Sequence, residues 1–414
     1  MQRKILIISS LDIWSMGENK GGPSLWHTLK GYADNNWQVF FIIGNKDKNS
    51  LYNVRPNIKI CRFDAKWLKR LFRIKKIGFF ANTLWWLYFQ IKSFLIGYKI
   101  AKKEKIDVFY AYEIQGALST KILALIFKKP IVSRFQGTIL APWLGTRSWK
   151  IRFWQHVLAF KIPVDLLIMA NDGTQGDKVL RRLNVNMNKV KFWMNGVDKN
   201  IGVQMFDKNF LKNNLNITKD KKIILTVSRL EKWKRLDRII KAMPEIIKRQ
   251  PNVKLLIIGD GAERNNIERL TEELKAQNYI LFLGVISHDE IEKYYQLADI
   301  FVSLYDLSNV GNPLLEAMIN GKCIVTLDVG DTNKFIFNNQ NGILLKINEL
   351  NKLPETIINL LKNDNFREIL GENAREFADK NFWTWEKRIK AEIFAVNNLL
   401  ENDKQRNNFQ NYKK

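Results

Sequence analysis

Cysteine and histidine are scarce in this chain of 414 residues. It contains two cysteines, Cys61 and Cys323, and three histidines that stand far apart in the sequence. Two distant cysteines build neither a disulfide framework nor a thiolate metal site, so a reducing compartment is expected. Since no Cys/His group has the spacing of metal ligands, the sequence predicts no structural metal.

Long apolar runs are absent as well. No stretch reaches the roughly 18 uncharged apolar residues of a membrane span. The nearest approach, LWWLYFQIKSFLIGY at 84–98, is interrupted by Gln90 and Lys92 and is interpreted as an interfacial or core segment. The apolar run in the N-terminal MQRKILIISSLDIW is short, which favours a first buried strand over a signal peptide.

Acidic residues are few in the first half of the chain. Residues 1–200 contain 34 Lys/Arg against 12 Asp/Glu, a net charge of +22, whereas residues 201–414 contain 33 against 29, a net +4. The first half is therefore expected to meet an anionic partner. Charge alone permits either a membrane surface or a nucleic acid.

Apolar strands alternate with helical patterns in both halves. In the second half, KKIILTVSRL, VKLLIIGDG, YILFLGV, ADIFVSL and KCIVTLDVGD are separated by amphipathic segments. In the first half, KILIISS, WQVFFIIG, VFYAY, KPIVSRFQGT and DLLIMAN repeat the plan. Continuous apolar strands that alternate with helices are typical of parallel, doubly wound sheets with both faces covered.

The predicted fold is therefore α/β, with two Rossmann-like doubly wound parallel-sheet domains facing a cleft. An Asn/Lys-rich polar segment separates the halves. We expect an N-terminal domain over 1–200, a linker over 201–219, a C-terminal domain over 220–385, and a C-terminal helix with a frayed tail over 386–414. Ligands of such sheets bind beyond the carboxyl ends of the strands.

Two cations follow the first strand of the second half. SRLEKWKR places Arg229 at the carboxyl end of that strand and Lys234 near the next helix. Arginine as a planar fork and lysine as a point charge suit a diphosphate. Two solvated surface cations are the alternative.

Glycines open two further turns. In NKGGPS, Gly21 and Gly22 precede a helix, where backbone N–H groups face an anion or form a plain turn. In IGDGAER, the third glycine of the dinucleotide fingerprint is missing, so Gly259 and Gly261 are interpreted as a tight turn.

The stretch SNVGNPLLEAM at 308–318 runs from a polar loop through Pro313 into an apolar helix with one carboxylate, Glu316. The chain contains no Asp-x-Asp pair, which would hold a divalent metal on a nucleotide sugar. A bound diphosphate would be neutralised by Arg229, Lys234 and backbone amides instead.

Taken in order, these segments resemble the family 4 retaining glycosyltransferases, which have the GT-B fold and use nucleotide-diphosphate sugars without a metal. The ordered set comprises the Gly21-Gly22 loop, MNGVD at 194–198, VSRLEKWKR, IGDGAER, FLGVIS and the loop leading to LLEAMINGKCIV. The resemblance covers most of the chain and implies an N-terminal acceptor domain and a C-terminal donor domain.

The resemblance also implies roles for single residues. Arg229 and Lys234 would neutralise the diphosphate leaving group, and Glu316 would accept hydrogen bonds from the ribose hydroxyls; these three are the predicted catalytic residues. The glycine loop would approach the donor phosphates, and the backbone around Val285 would hold the nucleobase. The predicted donor-binding residues are Gly21, Gly22, Gln136, Val285, Ser308, Asn309, Gly311, Asn312 and Leu315.

Two positions depart from the family pattern. Where the family has a first glutamate, eight positions before the second, this chain has Ser308, and where many members have a histidine it has Gln136. Both neutral residues still form hydrogen bonds but supply no charge. Altered donor-sugar choice is the prediction; a nucleotide-sugar-binding protein that has lost catalysis is the alternative.

A basic amphipathic pattern precedes the aromatic segment. In KWLKRLFRIKK at 66–76, helical spacing places most of the cations on one side. We expect residues 66–100 to contact an anionic membrane surface; a helix packed on its own domain is the alternative. Since no nucleic-acid module is present, nucleic acid is not expected as a partner.

The predicted protein is a hexosyltransferase that is peripheral on the cytoplasmic face of the cell membrane. It would use a UDP- or GDP-sugar and a lipid-linked or other anionic glycan acceptor, in polysaccharide or lipopolysaccharide synthesis, with no cofactor.

Overall fold

Two parallel β-sheets organise the chain. The computed structural model describes residues 2–11, 23–44, 55–64, 78–198 and 207–411. Unit 1 comprises Met1–Asn171, Gly176–Asn195 and Trp385–Lys414, and unit 2 comprises Asp172–Gln175 and Gly196–Thr384.

Unit 1 contains a seven-stranded parallel sheet in the order β3-β2-β1-β4-β5-β6-β7. Its strands are β1 (Lys4–Ser9), β2 (Gln38–Ile43), β3 (Ile58–Arg62), β4 (Val108–Tyr112), β5 (Ile131–Phe135), β6 (Leu166–Ala170) and β7 (Val190–Trp193). Its helices are α1 (Pro23–Asp34), α2 (Gly78–Glu104), α3 (Ala117–Ile126), α4 (Trp149–Arg152), α5 (Trp154–Lys161), α6 (Gly176–Arg182) and α14 (Trp385–Asn411).

The five strands predicted for the first half are confirmed, and the sequence missed β3 and β7. These two strands form the opposite edges of the sheet. Their sequences, IKICR and VKFW, interrupt the apolar run with charges because an edge strand is only partly covered. The predicted basic helix over 66–76 lies outside the described residues.

Both faces of this sheet are packed. Leu6 and Ile8 of β1 belong to one apolar cluster, while Ile5 and Ile7 belong to another. The second cluster also contains four residues of α14 at helical spacing, Ile389, Ile393, Val396 and Leu400. The C-terminal helix, expected as a segment of its own, is therefore part of unit 1, and it remains helical to Asn411 within the tail expected to fray.

Unit 2 contains a six-stranded parallel sheet in the order β10-β9-β8-β11-β12-β13. Its strands are β8 (Lys222–Val227), β9 (Val253–Ile258), β10 (Ile280–Gly284), β11 (Ile300–Ser303), β12 (Cys323–Leu327) and β13 (Ile343–Leu345). Its helices are α7 (Lys208–Asn214), α8 (Asp237–Arg249), α9 (Arg264–Glu273), α10 (His288–Leu297), α11 (Asn312–Ile319), α12 (Leu353–Lys362) and α13 (Asp364–Asn381).

The strand order of unit 2 reverses between β8 and β11. At such a switch point the carboxyl ends of two neighbouring strands open a site for a ligand. The loops after these strands carry Arg229 and Lys234 on one side and the 304–312 segment on the other. This confirms the predicted fold of two Rossmann-like doubly wound sheets, although the short β13 was not foreseen.

Part of the predicted linker is helical. Residues 208–214 form α7, whose N-terminus is capped by Asp207, because that carboxylate accepts a hydrogen bond of 2.8 Å from the Asn209 N–H. Residues 201–206 of the predicted linker lie outside the described residues.

Candidate functional site

The turn after β9 fixes the backbone that carries Arg229. Gly259 has φ +129°, and a Cβ there would lie 1.8 Å from the carbonyl oxygen of Ser228. A Cβ on Gly261 would lie 2.5 Å from the carbonyl oxygen of Leu230. The two glycines are therefore needed for the close approach of two backbones, in agreement with their interpretation as a tight turn.

Lys234 lies against two aromatic rings. Its Nζ is 4.0 Å from the ring centroid of Trp233 and 3.7 Å from that of Tyr305. The hydroxyl of Tyr305 donates a hydrogen bond of 3.0 Å to the carbonyl oxygen of Val227, at the end of β8. The loop after β11 thereby covers the lysine that follows β8, and the two loops form one site.

This environment makes the charged form of Lys234 unfavourable. Burial, with the nearby positive charge of Arg229 as a second cause, lowers the Lys234 pKa to about 7. Asp172 and Glu231 act in the opposite direction without offsetting the burial. An anion bound beside this amine would favour its protonated form.

Arg229 is the more accessible of the two cations. Its side chain is 56% exposed and lies 3.7 Å from a carboxylate oxygen of Glu231. The structure thus places an exposed guanidinium and a partly buried amine at the same edge of the sheet. The sequence raised the alternative that both cations are solvated at the surface. In the structure this holds for Arg229 and not for Lys234.

Glu316 is buried in the middle of α11, with 8% of its surface exposed. Its Oε2 accepts a hydrogen bond of 2.9 Å from the hydroxyl of Tyr295, which also contacts the carbonyl oxygen of Pro313 at 3.2 Å. Burial raises the pKa of Glu316, while His288 and Tyr295 oppose the rise. The carboxylate is thereby fixed in direction and shielded from water.

Sequence reasoning missed three residues around Glu316. Tyr295 is its hydrogen-bond donor, and His288 interacts with it electrostatically. The Nε2 of His288 lies 2.8 Å from a carboxylate oxygen of Asp198, the last residue of the MNGVD segment. The position of His288 in the sequence could have indicated it, because this residue begins the helix that follows β10 and therefore lies at the carboxyl edge of the sheet.

The loop before α11 holds its own shape. Asn309 is 1% exposed; its Oδ1 accepts a hydrogen bond of 3.0 Å from the Tyr305 N–H, and its amide donates to the Leu327 carbonyl at 3.2 Å. Leu315 is 2% exposed, and its N–H donates to the carbonyl oxygen of Gly311 at 3.2 Å. These contacts hold the loop together and attach it to the end of β12. Donor binding by Asn309, Gly311, Asn312 and Leu315 stays a prediction.

Ser308 contacts a segment that is distant in sequence. Its hydroxyl donates a hydrogen bond of 2.7 Å to the carbonyl oxygen of Asp172 and accepts one of 3.1 Å from the Val310 N–H. A Cβ on Gly173, which has φ +74°, would lie 2.4 Å from the Ser308 hydroxyl oxygen. Position 308 is therefore packed against residues 172–175, which belong to unit 2.

The remaining predicted residues lie elsewhere. Val285 follows β10 and is 65% exposed. Gln136 follows β5 in unit 1, where its amide donates to the Tyr112 hydroxyl and its carbonyl accepts a bond of 3.2 Å from Asn195. Gly21 and Gly22 lie outside the described residues. Among the residues that are described, no group of three or more His, Cys, Asp or Glu could hold a metal ion.

Comparisons with known proteins agree with this geometry. Residues 207–377 match the family model for glycosyl transferases group 1, and this span contains the two cations, the 304–312 loop and Glu316. An uncharacterised glycosyltransferase of Methanocaldococcus jannaschii is 27% identical over 384 residues, which are 86% of this chain and 89% of that protein.

A second relative matches over a shorter region. The alpha-monoglucosyldiacylglycerol synthase of Acholeplasma laidlawii is 30% identical over 164 residues, 40% of this chain and 41% of that protein. Among solved structures, Anabaena HepE in complex with UDP-glucose superposes with a TM-score of 0.70 at 17% identity, covering 95% of this chain and 99% of that one. At this identity the likeness concerns the fold.

The family predicted from the ordered motifs is confirmed by these matches. The chain therefore carries a glycosyl transferases group 1 domain, family-4-like, on a GT-B fold.

Proposed function

We propose that this protein is a retaining, metal-independent hexosyltransferase that uses a UDP- or GDP-sugar. The observation that carries the proposal is the arrangement around Lys234. A shielded amine and an exposed guanidinium lie in the loop that follows β8, and a buried carboxylate lies in the helix that follows β11, the neighbouring strand, within the matched glycosyltransferase domain.

The cation pair suits a diphosphate. Two neighbouring positive charges, one of them poorly hydrated, destabilise each other until an anion binds between or beside them. Lys234 supplies a point charge held by two rings, and Arg229 supplies a planar fork that is free to close on phosphate oxygens. A nucleotide diphosphate has the charge and the length to meet both.

Glu316 suits the ribose of the same nucleotide. Tyr295 occupies its Oε2, and we assign Oε1 to a ribose hydroxyl. Hydrogen bonds from neutral donors to a buried carboxylate contribute about 1.5–3 kcal/mol. The energy of this contact depends on ionisation of Glu316, which His288 and Tyr295 favour.

The chemistry requires these groups most strongly as the bond breaks. The bond between the anomeric carbon and the diphosphate oxygen breaks while the acceptor oxygen bonds to that carbon. The acceptor proton passes to the departing phosphate oxygen, on the same face of the sugar, so that configuration is retained. Arg229 and Lys234 stabilise the negative charge that grows on the diphosphate, with an expected effect of about 10²–10³-fold each in rate.

Two relatives support the substrate class. The Anabaena structure is described with UDP-glucose, and the Acholeplasma relative is named for synthesis of a glucosylated diacylglycerol. We propose a nucleotide-diphosphate sugar as donor and a lipid-linked or other anionic acceptor for this chain, in cell-surface glycan synthesis.

A thermal-shift panel of UDP, GDP, ADP and their sugars tests the donor site. One base is expected to raise the melting temperature of the wild type, and Arg229→Ala and Glu316→Ala are expected to lose the shift. Arg269→Ala and Glu273→Ala, which change side chains 68% and 64% exposed, are the matched controls and should keep it.

Two results, one from this panel and one from hydrolysis and transfer assays, would change the assignment. If no nucleotide stabilises the wild type, the site is misassigned. If a donor binds but is neither hydrolysed nor transferred over a panel of lipid acceptors, the protein is a nucleotide-sugar-binding protein, the alternative raised by the substitution at Ser308.

The surface of α2 supports a membrane-bound acceptor. One face of this helix enters the core of unit 1 through Trp85, Trp86 and Phe89. The other face presents an apolar stripe at a spacing of three or four residues, with every member at least 38% exposed: Phe80, Leu84, Leu87, Ile91, Leu95 and Tyr98. Such a stripe along a 27-residue helix lies well in the plane of a bilayer interface.

Charge beside the stripe favours an anionic surface. Exposed lysines lie within it at Lys92 and after it at Lys99, Lys102 and Lys103. The helix α3, which packs on α2, adds Leu125 and Ile126, 62% and 49% exposed. Each cation near anionic lipid contributes about 1 kcal/mol. Within the described residues, no helix has the length and hydropathy to cross a bilayer. We propose a peripheral protein on the cytoplasmic face of the cell membrane.

Flotation with vesicles tests this surface. The wild type should float with phosphatidylglycerol-containing vesicles at low salt and less with phosphatidylcholine alone. The double variant L84D/I91D should stay at the bottom of the gradient, whereas I369D/F394D, which changes two exposed apolar residues outside α2, should float normally. Absence of flotation by the wild type on anionic vesicles at low salt would exclude the membrane surface.

A further inference from the structure

Residues 172–175, which follow β6 in the chain, are fastened to the loops of unit 2. The Ser308 hydroxyl donates to the carbonyl oxygen of Asp172 at 2.7 Å. The N–H of Asp331 donates to the carbonyl oxygen of Gly173 at 2.8 Å, and the Gln175 amide donates to the Asp331 carboxylate at 3.1 Å. Three contacts therefore hold this short segment beside the loop before α11.

The Asp172 side chain has a fixed orientation. Its Oδ1 accepts hydrogen bonds from the N–H and the hydroxyl of Thr174, at 3.1 and 2.6 Å. The backbone of Gly173 is confined by Ser308 and by Gly330, whose Cβ would lie 2.2 Å from the Gly173 carbonyl oxygen. A carboxylate held at one oxygen by a rigid turn presents its second oxygen in a constant direction.

The side chain of Asp172 also interacts electrostatically with Lys234. Burial raises the pKa of Asp172 to about 7, and the charge of Lys234 acts against that rise. The neighbouring carboxylates are engaged elsewhere, since Asp306 bonds to Arg238 at 2.6 Å and Asp331 bonds to Lys334 at 3.0 Å. The charged groups that act on Lys234 are Arg229, Glu231 and Asp172.

We propose that Asp172 is a donor-sugar contact, whose carboxylate accepts a hydrogen bond from a hydroxyl of the transferred sugar and pairs with Lys234. The inference rests on the proposed function and deepens it. A diphosphate at Lys234 carries its sugar on the terminal phosphate, and the contacts through Ser308 place Asp172 beside the loop that borders this lysine. Serine at 308 thus positions a carboxylate that is contributed by another segment.

Asp172→Asn separates this role from a structural one. The asparagine retains an Oδ1 acceptor for Thr174 and so keeps the turn, but it removes the negative charge. We expect kcat/KM for the nucleotide sugar to fall by about tenfold to a hundredfold, the usual size for a hydrogen bond to a charged group. Affinity for the nucleoside diphosphate without sugar should fall by less than affinity for the nucleotide sugar, because it loses only the effect of Asp172 on the protonation of Lys234.

Deoxy donors make the test specific. In a series of donors that each lack one sugar hydroxyl, one deletion should lower the kcat/KM of the wild type by the same factor as D172N does. The same deletion should leave the kcat/KM of D172N unchanged. The contribution of Asp172 to the acid limb of kcat/KM, with its midpoint near pH 7, should be lost in D172N, and the remaining acid limb should be the one set by Glu316. The alkaline limb should move to lower pH, because Asp172 no longer favours protonation of Lys234. Asp379→Asn, which changes a side chain 54% exposed, is the matched control.

The outcomes separate the two proposals. An active wild type with unchanged kcat/KM in D172N overturns the role of Asp172 alone, as does an equal loss of affinity for the nucleoside diphosphate and its sugar. Additive effects of D172N and every hydroxyl deletion overturn it as well, and this readout is independent of any change in folding stability. A wild type that binds no nucleotide sugar overturns the proposed function itself.

Discussion

Replacement of Lys234 by methionine should change ligand binding and stability in opposite directions. Desolvation between Trp233 and Tyr305 lowers the pKa of this lysine from 10.5 to about 7. A shift of this size corresponds to roughly 5 kcal/mol by which the native structure disfavours the charged amine. Binding of a diphosphate restores the favoured charge, so it must be accompanied by uptake of a proton.

The uptake has a defined size and pH dependence. At pH 7 the amine is about half protonated before binding, so Lys234 should contribute an uptake of about 0.5 proton per nucleotide sugar bound, measured as the difference between the wild type and K234M. Affinity should fall by up to about tenfold per pH unit as the pH rises above 7. Calorimetry in buffers of different ionisation enthalpy measures the uptake. The sugar nucleotide is the right ligand because its diphosphate has no ionisation near neutral pH.

The stability change follows from the same pKa. Between pH 7 and 10.5 the unfolded chain binds a proton at this lysine that the folded chain does not, so the lysine's contribution to unfolding free energy rises with pH across this window. Below pH 7 the full penalty is present, and K234M should remove it, with a gain of up to roughly 4 kcal/mol at neutral pH. Denaturant titrations at several pH values measure this gain.

The control and the refuting result are both direct. Lys241→Met removes a lysine that is 60% exposed in α8 and should change neither proton uptake nor the pH dependence of stability. Equal proton uptake in the wild type and in K234M at pH 7 would refute the assignment of a desolvated diphosphate-binding amine.

Two further predictions concern the framework. Glu392→Gln leaves Arg134 and Arg388, two buried arginines of unit 1, without their carboxylate and should lower the free energy of unfolding by about 3–5 kcal/mol. Glu386→Gln, at a side chain 74% exposed, should change it by less than about 0.5 kcal/mol in the same denaturant titration. Gly259→Ala places a Cβ against backbone and should abolish donor binding or folding, with loss of the nucleotide-induced thermal shift. Gly145→Ala, with open space around its Cβ, should leave both unchanged. Wild-type behaviour of Glu392→Gln or of Gly259→Ala would contradict the contacts described.

The order of elements was readable from the sequence because buried parallel strands are continuous apolar runs. Ten of the thirteen described strands, from β1 to β12 without β3 and β7, were predicted on that basis. The three strands that were missed are sheet edges, where charged or short segments suffice because one side meets no neighbouring strand. The same logic placed Arg229 and the 308–312 loop at one edge of a sheet, since loops that follow parallel strands emerge together.

Only the tertiary structure decided what these side chains do. Nothing near Lys234 in the sequence shows that Tyr305 covers it, that burial lowers its pKa, or that Tyr295 orients Glu316. The hydrogen bonds of Asn309 to Tyr305 and Leu327 were not readable from the sequence, and Asp172 received no role although it lies beside the 304–312 loop. Desolvation and hydrogen-bond partners are supplied by segments distant in the chain, and so they exist only after packing.

The sequence by itself therefore determined the fold class, through the periodicity and order of strand, loop and helix, and the family, through the resemblance of its ordered motifs. It also determined the edge of the sheet at which the predicted donor-binding residues of the second half lie. The tertiary structure decided that the C-terminal helix joins unit 1 and that residues 172–175 join unit 2. It also decided which charges are shielded from water, because hydration depends on neighbours in space.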